Sequence, residues 1–133
     1  MTEHTGSCLC GSVQFAIAGD LESFYVCHCQ HCKKDTGSAY AANLFSRSAQ
    51  LTWLAGAEAV TSFTLPGTRH SKSFCQTCGS ALPNTLLPGL LAVPAGSLDS
   101  TISLLPTAHI FTSRKAGWEC MNTGALSFEE LPE

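Results

Sequence analysis

The sequence predicts a single all-β domain spanning residues 1–133. Large apolar residues recur at every second position, as at Val13, Phe15 and Ile17, which is the period of a strand with one buried face. Glycine, proline, asparagine and aspartate cluster between such runs, as turns between strands require. The sequence contains no internal repeat, low-complexity segment or linker, so we expect one domain of short antiparallel strands.

The apolar runs give the predicted strands in chain order. They are residues 12–18, 24–27, 39–45, 50–54, 59–65, 72–75, 90–95 and 108–112. The one predicted helix is a short turn over residues 33–36, which Gly37 ends because glycine readily adopts the left-handed conformation that closes helices. The acidic residues Glu129, Glu130 and Glu133 predict a solvated tail.

Charge and hydropathy exclude several classes of protein. Charged residues make up only 13% of the chain, its net charge is -3, and its longest basic cluster is the pair Lys33-Lys34. Nucleic acid is therefore not expected as a ligand. Pro and Gly interrupt the apolar stretches before they reach the roughly 20 residues that cross a bilayer, and the N-terminus lacks the features of a secretory signal. We expect a soluble, cytoplasmic protein whose oligomeric state composition leaves open.

The eight cysteines lie mostly in tight clusters. They form C-x-C at positions 8 and 10, C-x-C-x-x-C at 27, 29 and 32, and C-x-x-C at 75 and 78, with Cys120 alone. A disulfide framework spreads its cysteines along the chain, and the expected compartment is reducing. The spacing therefore predicts metal ligands, and Cys120 is predicted to be a core thiol.

The first predicted metal site combines Cys8 and Cys10 with Cys75 and Cys78. Gly79 allows a tight knuckle in which both sulfurs of the C-x-x-C pair turn to one side. In an extended segment, residues i and i+2 face the same way, so Cys8 and Cys10 can reach one ion. Four thiolates are typical of structural zinc, with a rubredoxin-like iron as a minor alternative. The spacing leaves open that Cys8 and Cys10 join residues 27–32 instead.

The second predicted metal site consists of Cys27, Cys29 and Cys32, which no further clustered cysteine completes. Structural zinc is normally fully ligated by protein, whereas catalytic zinc keeps a position for water or substrate. His28 should point away from the site if it lies in a strand, and His31 is the alternative fourth ligand because the turn could swing its ring inward.

An open zinc site with three thiolates suits a soft fourth ligand. A thiol that coordinates the ion is deprotonated, and the thiolate is the reactive nucleophile. The site is therefore predicted to bind and activate a small-molecule thiol. The neighbouring Lys33 and Lys34 either offset the negative charge of the site and meet an acidic substrate, or form a solvated turn.

The segments GSCLCGSVQF, CHCQHCKKDTGSAY, SFCQTCGSAL, VPAGSLD and AHIFTSRKAGW resemble the glutathione-dependent formaldehyde-activating enzyme family, which includes centromere protein V-like members. The resemblance covers residues 6–132. It implies an all-β fold of the β-tent type organised around two zinc ions. By position, it implies a structural zinc on Cys8, Cys10, Cys75 and Cys78, and a catalytic zinc on Cys27, Cys29 and Cys32.

The resemblance also implies an activity and a partner. The namesake reaction joins formaldehyde to glutathione, giving S-hydroxymethylglutathione, and members are classed as carbon–sulfur lyases. No residue marks itself as the acid of this reaction, although His28 and His31 are candidates by proximity. His109 and Trp118 match the late segment of the family and are expected to be a strand histidine and a packed tryptophan. Asn122 departs from the family, which often has an acidic residue there.

Two other functions remain open from the sequence. The protein could be a non-catalytic two-zinc module for protein interaction, or a sensor of thiols or metals that uses an easily removed ion. The chain has no basic tail, which weighs against a role on chromatin. A second site that is open and accepts a thiol favours the enzyme, whereas a closed second site favours the module.

Overall fold

The computed structural model describes residues 3–119 and 124–132, which form ten short strands and one α-helix. The strands are β1 (Glu3–Ser7), β2 (Gln14–Ala18), β3 (Ser23–Cys27), β4 (Ala41–Ser46), β5 (Gln50–Ala55), β6 (Val60–Thr64), β7 (Ser71–Cys75), β8 (Ala81–Leu82), β9 (Leu91–Pro94) and β10 (Ala108–Ile110). The helix is α1 (Gln30–Thr36), and single 3₁₀ turns lie at Ala57–Ala59, Ala95–Ser97 and Thr112–Arg114.

The described strands form three small sheets. Their orders are β1-β2-β5, β10-β3-β4-β9 and β6-β7-β8. The named strands pair antiparallel except β10, which lies parallel to β3. The predicted mostly β domain is confirmed, with this one departure from an antiparallel arrangement. A parallel partner must come from a distant crossover, which alternation within a strand does not reveal.

The core contains the apolar residues whose alternation in the sequence predicted a buried strand face. Val13, Phe15 and Ile17 are fully buried, together with Leu44 of β4 and Val93 of β9. The ring of Phe15 also meets the ring of Trp53 edge to face, with 6.0 Å between the ring centroids. Burying side chains of this size stabilises the fold by about 1.5–3 kcal/mol each.

Each predicted strand overlaps an observed one, but β1 and β8 were missed. β1 buries His4 and Gly6 on its inner face, so it lacks the large apolar residues that mark a strand. A Cβ added at Gly6 would lie 2.2 Å from Cζ of Phe15, so only glycine allows β1 to approach the core this closely. β8 has only two residues.

The helix begins earlier than predicted. It starts at Gln30 and ends at Thr36, where Gly37 adopts a φ of 65° and donates its N–H to the carbonyl of Lys33. The glycine stop is therefore confirmed. None of the described helices is long and apolar enough to cross a membrane.

The end of the chain differs in part from expectation. Glu129 and Glu130 are exposed, as predicted for a solvated tail. Trp118 was expected to pack but is 71% exposed, because no described element covers its ring. The predictions for Cys120, Asn122 and Glu133 lie outside the described residues.

Candidate metal centres and the adjoining cavity

The structure brings Cys8, Cys10, Cys75 and Cys78 together, which we call the four-cysteine cluster. Their sulfurs all lie within 4.8 Å of one another. Sγ of Cys10 is 3.6 Å from Sγ of Cys8 and 3.9 Å from Sγ of Cys75. These separations exceed the roughly 2.05 Å of a disulfide, but a tetrahedral zinc with bonds of about 2.3 Å places its sulfurs roughly 3.8 Å apart. The donor set therefore fits zinc, and Cys8 and Cys10 lie with Cys75 and Cys78 instead of with residues 27–32.

Two tight turns position these sulfurs. Cys8 and Cys10 lie in the turn after β1, where the N–H of Gly11 donates to the carbonyl of Cys8 at 3.0 Å. The expectation of an extended segment was thus wrong, since a turn brings the pair together. Cys75 ends β7, and Gly79 donates its N–H back to the carbonyl of Cys75 at 2.7 Å with a φ of 75°. That left-handed residue gives the predicted knuckle.

Hydrogen bonds from backbone N–H groups favour the thiolate form of two members of the four-cysteine cluster, Cys8 and Cys75. Burial opposes ionisation of Cys8, but the N–H of Val13, at 3.3 Å from Sγ, and the neighbouring Cys10, Ser12 and Cys75 lower its pKa to about 6. The pKa of Cys75 is also lowered, mainly by the N–H of Cys78. Groups that stabilise thiolate also stabilise a metal ligand, because the thiolate is the coordinating form.

Cys27, Cys29 and Cys32 form a second group, the three-cysteine cluster, with sulfurs within 4.8 Å of one another. Cys27 is the last residue of β3, Cys29 caps α1, and Cys32 lies in the first turn of that helix. The N–H of Cys32 donates to Sγ of Cys29 at 3.3 Å. The strand ends at Cys27, so the strand-to-helix turn, and not a shared strand face, brings the sulfurs together.

Burial dominates the electrostatics of the three-cysteine cluster. It raises the pKa of Cys32, and the nearby Cys27 and Cys29 raise that pKa further. Burial also raises the pKa of Cys27. Burial opposes ionisation of Cys29 as well, but hydrogen bonds from the backbone and thiol of Cys32, the thiol of Cys27 and the backbone of His31 together lower its pKa. Three anionic sulfurs this close repel one another, so the fully ionised cluster requires a cation.

Neither neighbouring histidine joins the three-cysteine cluster in the described part of the chain. His28 lies just beyond the end of β3, so the predicted strand position does not apply to it; it is 1% exposed, with Nε2 3.0 Å from Nδ1 of His109. Its Nδ1 faces Oε1 of Glu119 at 3.2 Å, at an angle that makes no hydrogen bond. His31 is exposed, and its ring lies against that of His70, 5.6 Å between centroids.

A cavity of about 410 Å³ adjoins the three-cysteine cluster, and both Cys27 and Cys32 line it. Its other walls come from β4, α1 and the strands and turns between residues 69 and 96. Sequence reasoning missed its charged lining residues, Asp35, Arg69, His70 and Lys72. Arg69 and His70 precede β7 and Lys72 lies within it, so no strand period marks these residues as lining one cavity. The sequence also does not show that this segment meets α1.

Comparisons with known proteins bear on the family and the fold. Residues 3–114 match the family described as "Glutathione-dependent formaldehyde-activating enzyme". A crystal structure of a Rhodobacter sphaeroides protein is similar, with a TM-score of 0.59 and 24% identity, over 79% of this chain and 98% of that one. At this identity, the likeness shows the fold. Because the family match covers most of the sequence, the chain belongs to the glutathione-dependent formaldehyde-activating enzyme family.

Proposed function

We propose that the protein is a zinc-dependent carbon–sulfur lyase that makes and breaks the bond between a small-molecule thiol and an aldehyde. Glutathione and formaldehyde are the first pair to test, because the family is described by them. One observation carries the proposal: the three-cysteine cluster lies on the wall of the 410 Å³ cavity, and none of the four described cysteines of the other cluster lines it. Small-molecule sites typically occupy about 300–1,000 Å³.

In this proposal, the two clusters have different roles. Cys8, Cys10, Cys75 and Cys78 hold a structural ion, and Cys27, Cys29 and Cys32 hold the catalytic one. When bound to the three-cysteine cluster, zinc would supply a coordination position that favours the deprotonated form of the substrate thiol.

The cavity walls hold the two reactants together near the cluster. The sulfur of the thiolate attacks the aldehyde carbon, a carbon–sulfur bond forms, and the π electron pair of the carbonyl moves to its oxygen. That oxygen then takes a proton, giving a hemithioacetal, and the reverse sequence cleaves the same bond. No electron transfer is involved. Bringing two reactants together in one orientation is itself a large part of such catalysis.

The test combines metal content with rate. We expect two zinc ions per chain and formation of S-hydroxymethylglutathione faster than the spontaneous reaction, followed by NMR. Cys29→Ser should retain one zinc and lose the acceleration. Cys120→Ser makes the same chemical change at the cysteine that stands alone in the sequence, and it should retain both ions and the activity.

A second measurement detects thiol binding without turnover. With Co²⁺ in place of zinc, glutathione should change the thiolate-to-metal absorption of the wild type but not that of Cys29→Ser. A protein with two ions whose spectrum and reaction rate are indifferent to thiols would contradict the proposal and leave a two-zinc interaction module.

A further inference from the structure

The proposed reaction needs a group that gives a proton to the aldehyde oxygen and takes it back in reverse. Imidazole is the side chain that exchanges protons most readily near neutral pH. Among the described residues that line the cavity, His70 is the one histidine. Its side chain is 20% exposed, so it is sheltered but accessible from the cavity.

Asp35 fixes the orientation of the His70 ring. Nε2 of His70 lies 2.9 Å from Oδ2 of Asp35, and a carboxylate only accepts hydrogen bonds, so Nε2 carries the hydrogen. Nδ1 is then the nitrogen that can exchange a proton with a substrate. No described residue forms a hydrogen bond with Nδ1.

Lys72 in turn holds Asp35. Its Nζ lies 2.6 Å from Oδ1 of Asp35 and donates to the carbonyl oxygen of the same residue at 3.3 Å. The Asp35 carboxylate therefore joins Lys72 of β7, and His70 just before that strand, to α1. A base whose ring is held by a carboxylate that is itself held is the arrangement seen where histidine acts in catalysis.

The other candidates in this region are less suited. His28 is buried with one nitrogen on His109 and the other facing Glu119, and it does not line the cavity. His31 is exposed, and its ring meets the His70 ring edge to face without lining the cavity. Arg69 lines the cavity but stays protonated at working pH, so it can attract an anion but not exchange protons.

We propose that His70 is the acid and base at the aldehyde oxygen, and that Asp35 is its positioning residue. As the thiolate sulfur bonds to carbon, Nδ1–H of protonated His70 passes its proton to the oxygen, leaving neutral imidazole. The proton that the substrate thiol released to water then protonates Nδ1 again and restores the imidazolium. In cleavage, Nδ1 takes the hydroxyl proton, the carbonyl reforms and the sulfur leaves. The inference rests on the function proposed above.

The test compares His70→Gln with Lys72→Met in the zinc-loaded protein, with glutathione and formaldehyde as probes. The glutamine amide can still donate to Asp35, so His70→Gln keeps the link to α1 and removes only Nδ1. Lys72→Met weakens the same link but keeps the imidazole. We expect about a 100-fold loss of the catalysed rate in His70→Gln and less than about a 10-fold loss in Lys72→Met.

The pH profile distinguishes acid–base chemistry from a merely structural link. Asp35 and His31 face the imidazole from α1, and Arg69 and Lys72 flank it on its own hairpin. The wild-type rate should change between about pH 5 and 8, where imidazole titrates, and His70→Gln should lose that change while retaining two zinc ions and its melting temperature.

Three results would overturn the inference. His70→Gln could remain within threefold of the wild type, or both variants could lose activity equally and keep the wild-type pH profile. If His70→Gln fails to fold, His70→Asn replaces it, and an active His70→Asn protein has the same meaning. A wild type that does not accelerate the reaction at all overturns the proposed function, and this inference with it.

Discussion

The two cysteine clusters present the same ligand atom, sulfur, but they differ in how they connect parts of the fold. The four-cysteine cluster joins the turn after β1 to the turn after β7, so it connects two sheets across more than half of the chain. The three-cysteine cluster lies within six consecutive residues and adds no long-range connection of its own. Closing a long loop stabilises a fold, whereas a short local cluster contributes little in this way. The second cluster is therefore free to serve the cavity beside it.

The clusters also differ in the pKa shifts of their thiols. Burial opposes ionisation of Cys8, but the N–H of Val13 and neighbouring side chains lower its pKa to about 6, whereas burial raises the pKa of Cys32. The directions are mixed within each cluster, since the pKa of Cys10 is raised and that of Cys29 is lowered, but the lowering to about 6 lies in the first cluster and the largest raising lies in the second. The three-cysteine cluster supplies only three sulfurs, so an ion bound there can exchange its fourth ligand more readily. Ligand exchange is needed for a reaction but not for an ion that only stabilises the fold.

The largest expected effect comes from breaking the four-cysteine cluster. Cys8→Ser should lower the free energy of unfolding by about 4 kcal/mol or more, since structural zinc binds with about 10 kcal/mol or more in zinc-finger peptides. Cys29→Ser should lower it by less than about 2 kcal/mol. Urea unfolding with zinc analysis would measure both. Equal losses in the two variants would remove the distinction between the clusters.

Metal removal should separate the clusters in time. A colorimetric chelator should take one zinc rapidly from the three-cysteine cluster, which has fewer protein ligands and opens to the cavity, and the second zinc slowly. The fast phase should end the carbon–sulfur activity while circular dichroism remains unchanged. Release of both ions in one phase, with loss of structure, would contradict this order.

His28 packs next to the three-cysteine cluster without lining the cavity. His28→Ala should lower the free energy of unfolding by about 2–3 kcal/mol, because it leaves a hole among His109, Tyr40 and Glu119. His109→Ala removes the exposed partner and should cost about 1 kcal/mol. The comparison is made by urea unfolding. A His28→Ala protein as stable as the wild type would show that the cluster needs no such support.

The smallest expected effect is on the stability of the fold at low pH, and it arises at a carboxyl group outside both cysteine clusters. The N–H of Arg47 and the hydroxyl of Ser48 hydrogen-bond to Glu22 and hold the pKa of its carboxyl below its usual range. A lowered pKa in the folded state contributes stability at neutral pH, and that contribution is lost as the pH falls below about 4.5.

Glu22→Gln should therefore be slightly less stable than the wild type at pH 7 and equal to it at low pH, measured by thermal unfolding with zinc in excess. A difference that grows on acidification would contradict the assignment.

The sequence was informative wherever the physical constraint is local. Alternation identified the buried face of β2, because neighbouring side chains of a strand point to opposite sides. Cysteines a few residues apart were paired correctly, since they must converge to chelate one ion. β1 was missed because Gly6 replaces the large residue that would mark its buried face.

The cavity could not be predicted for a different reason. Asp35 and His70 lie on elements far apart in sequence, and their contact depends on how the β6-β7 hairpin meets α1. The two histidines that proximity suggested, His28 and His31, belong to the cluster segment but do not line the cavity. Distance along the chain was a poor guide to which histidine lines the cavity.

The parallel pairing of β10 with β3 has a consequence for the order of synthesis. β3 and β4 can pair early on the emerging chain, but the other edge of β3 waits for residues 108–110, and the N–H of His28 waits for the carbonyl of Ile110. Until then, a strand edge lies open beside three thiols, and open edges invite pairing with other chains. A chain that stops before β10 is therefore expected to be prone both to aggregation and to incorrect disulfide formation. In the full chain, β10 covers the strand edge that lies beside these thiols.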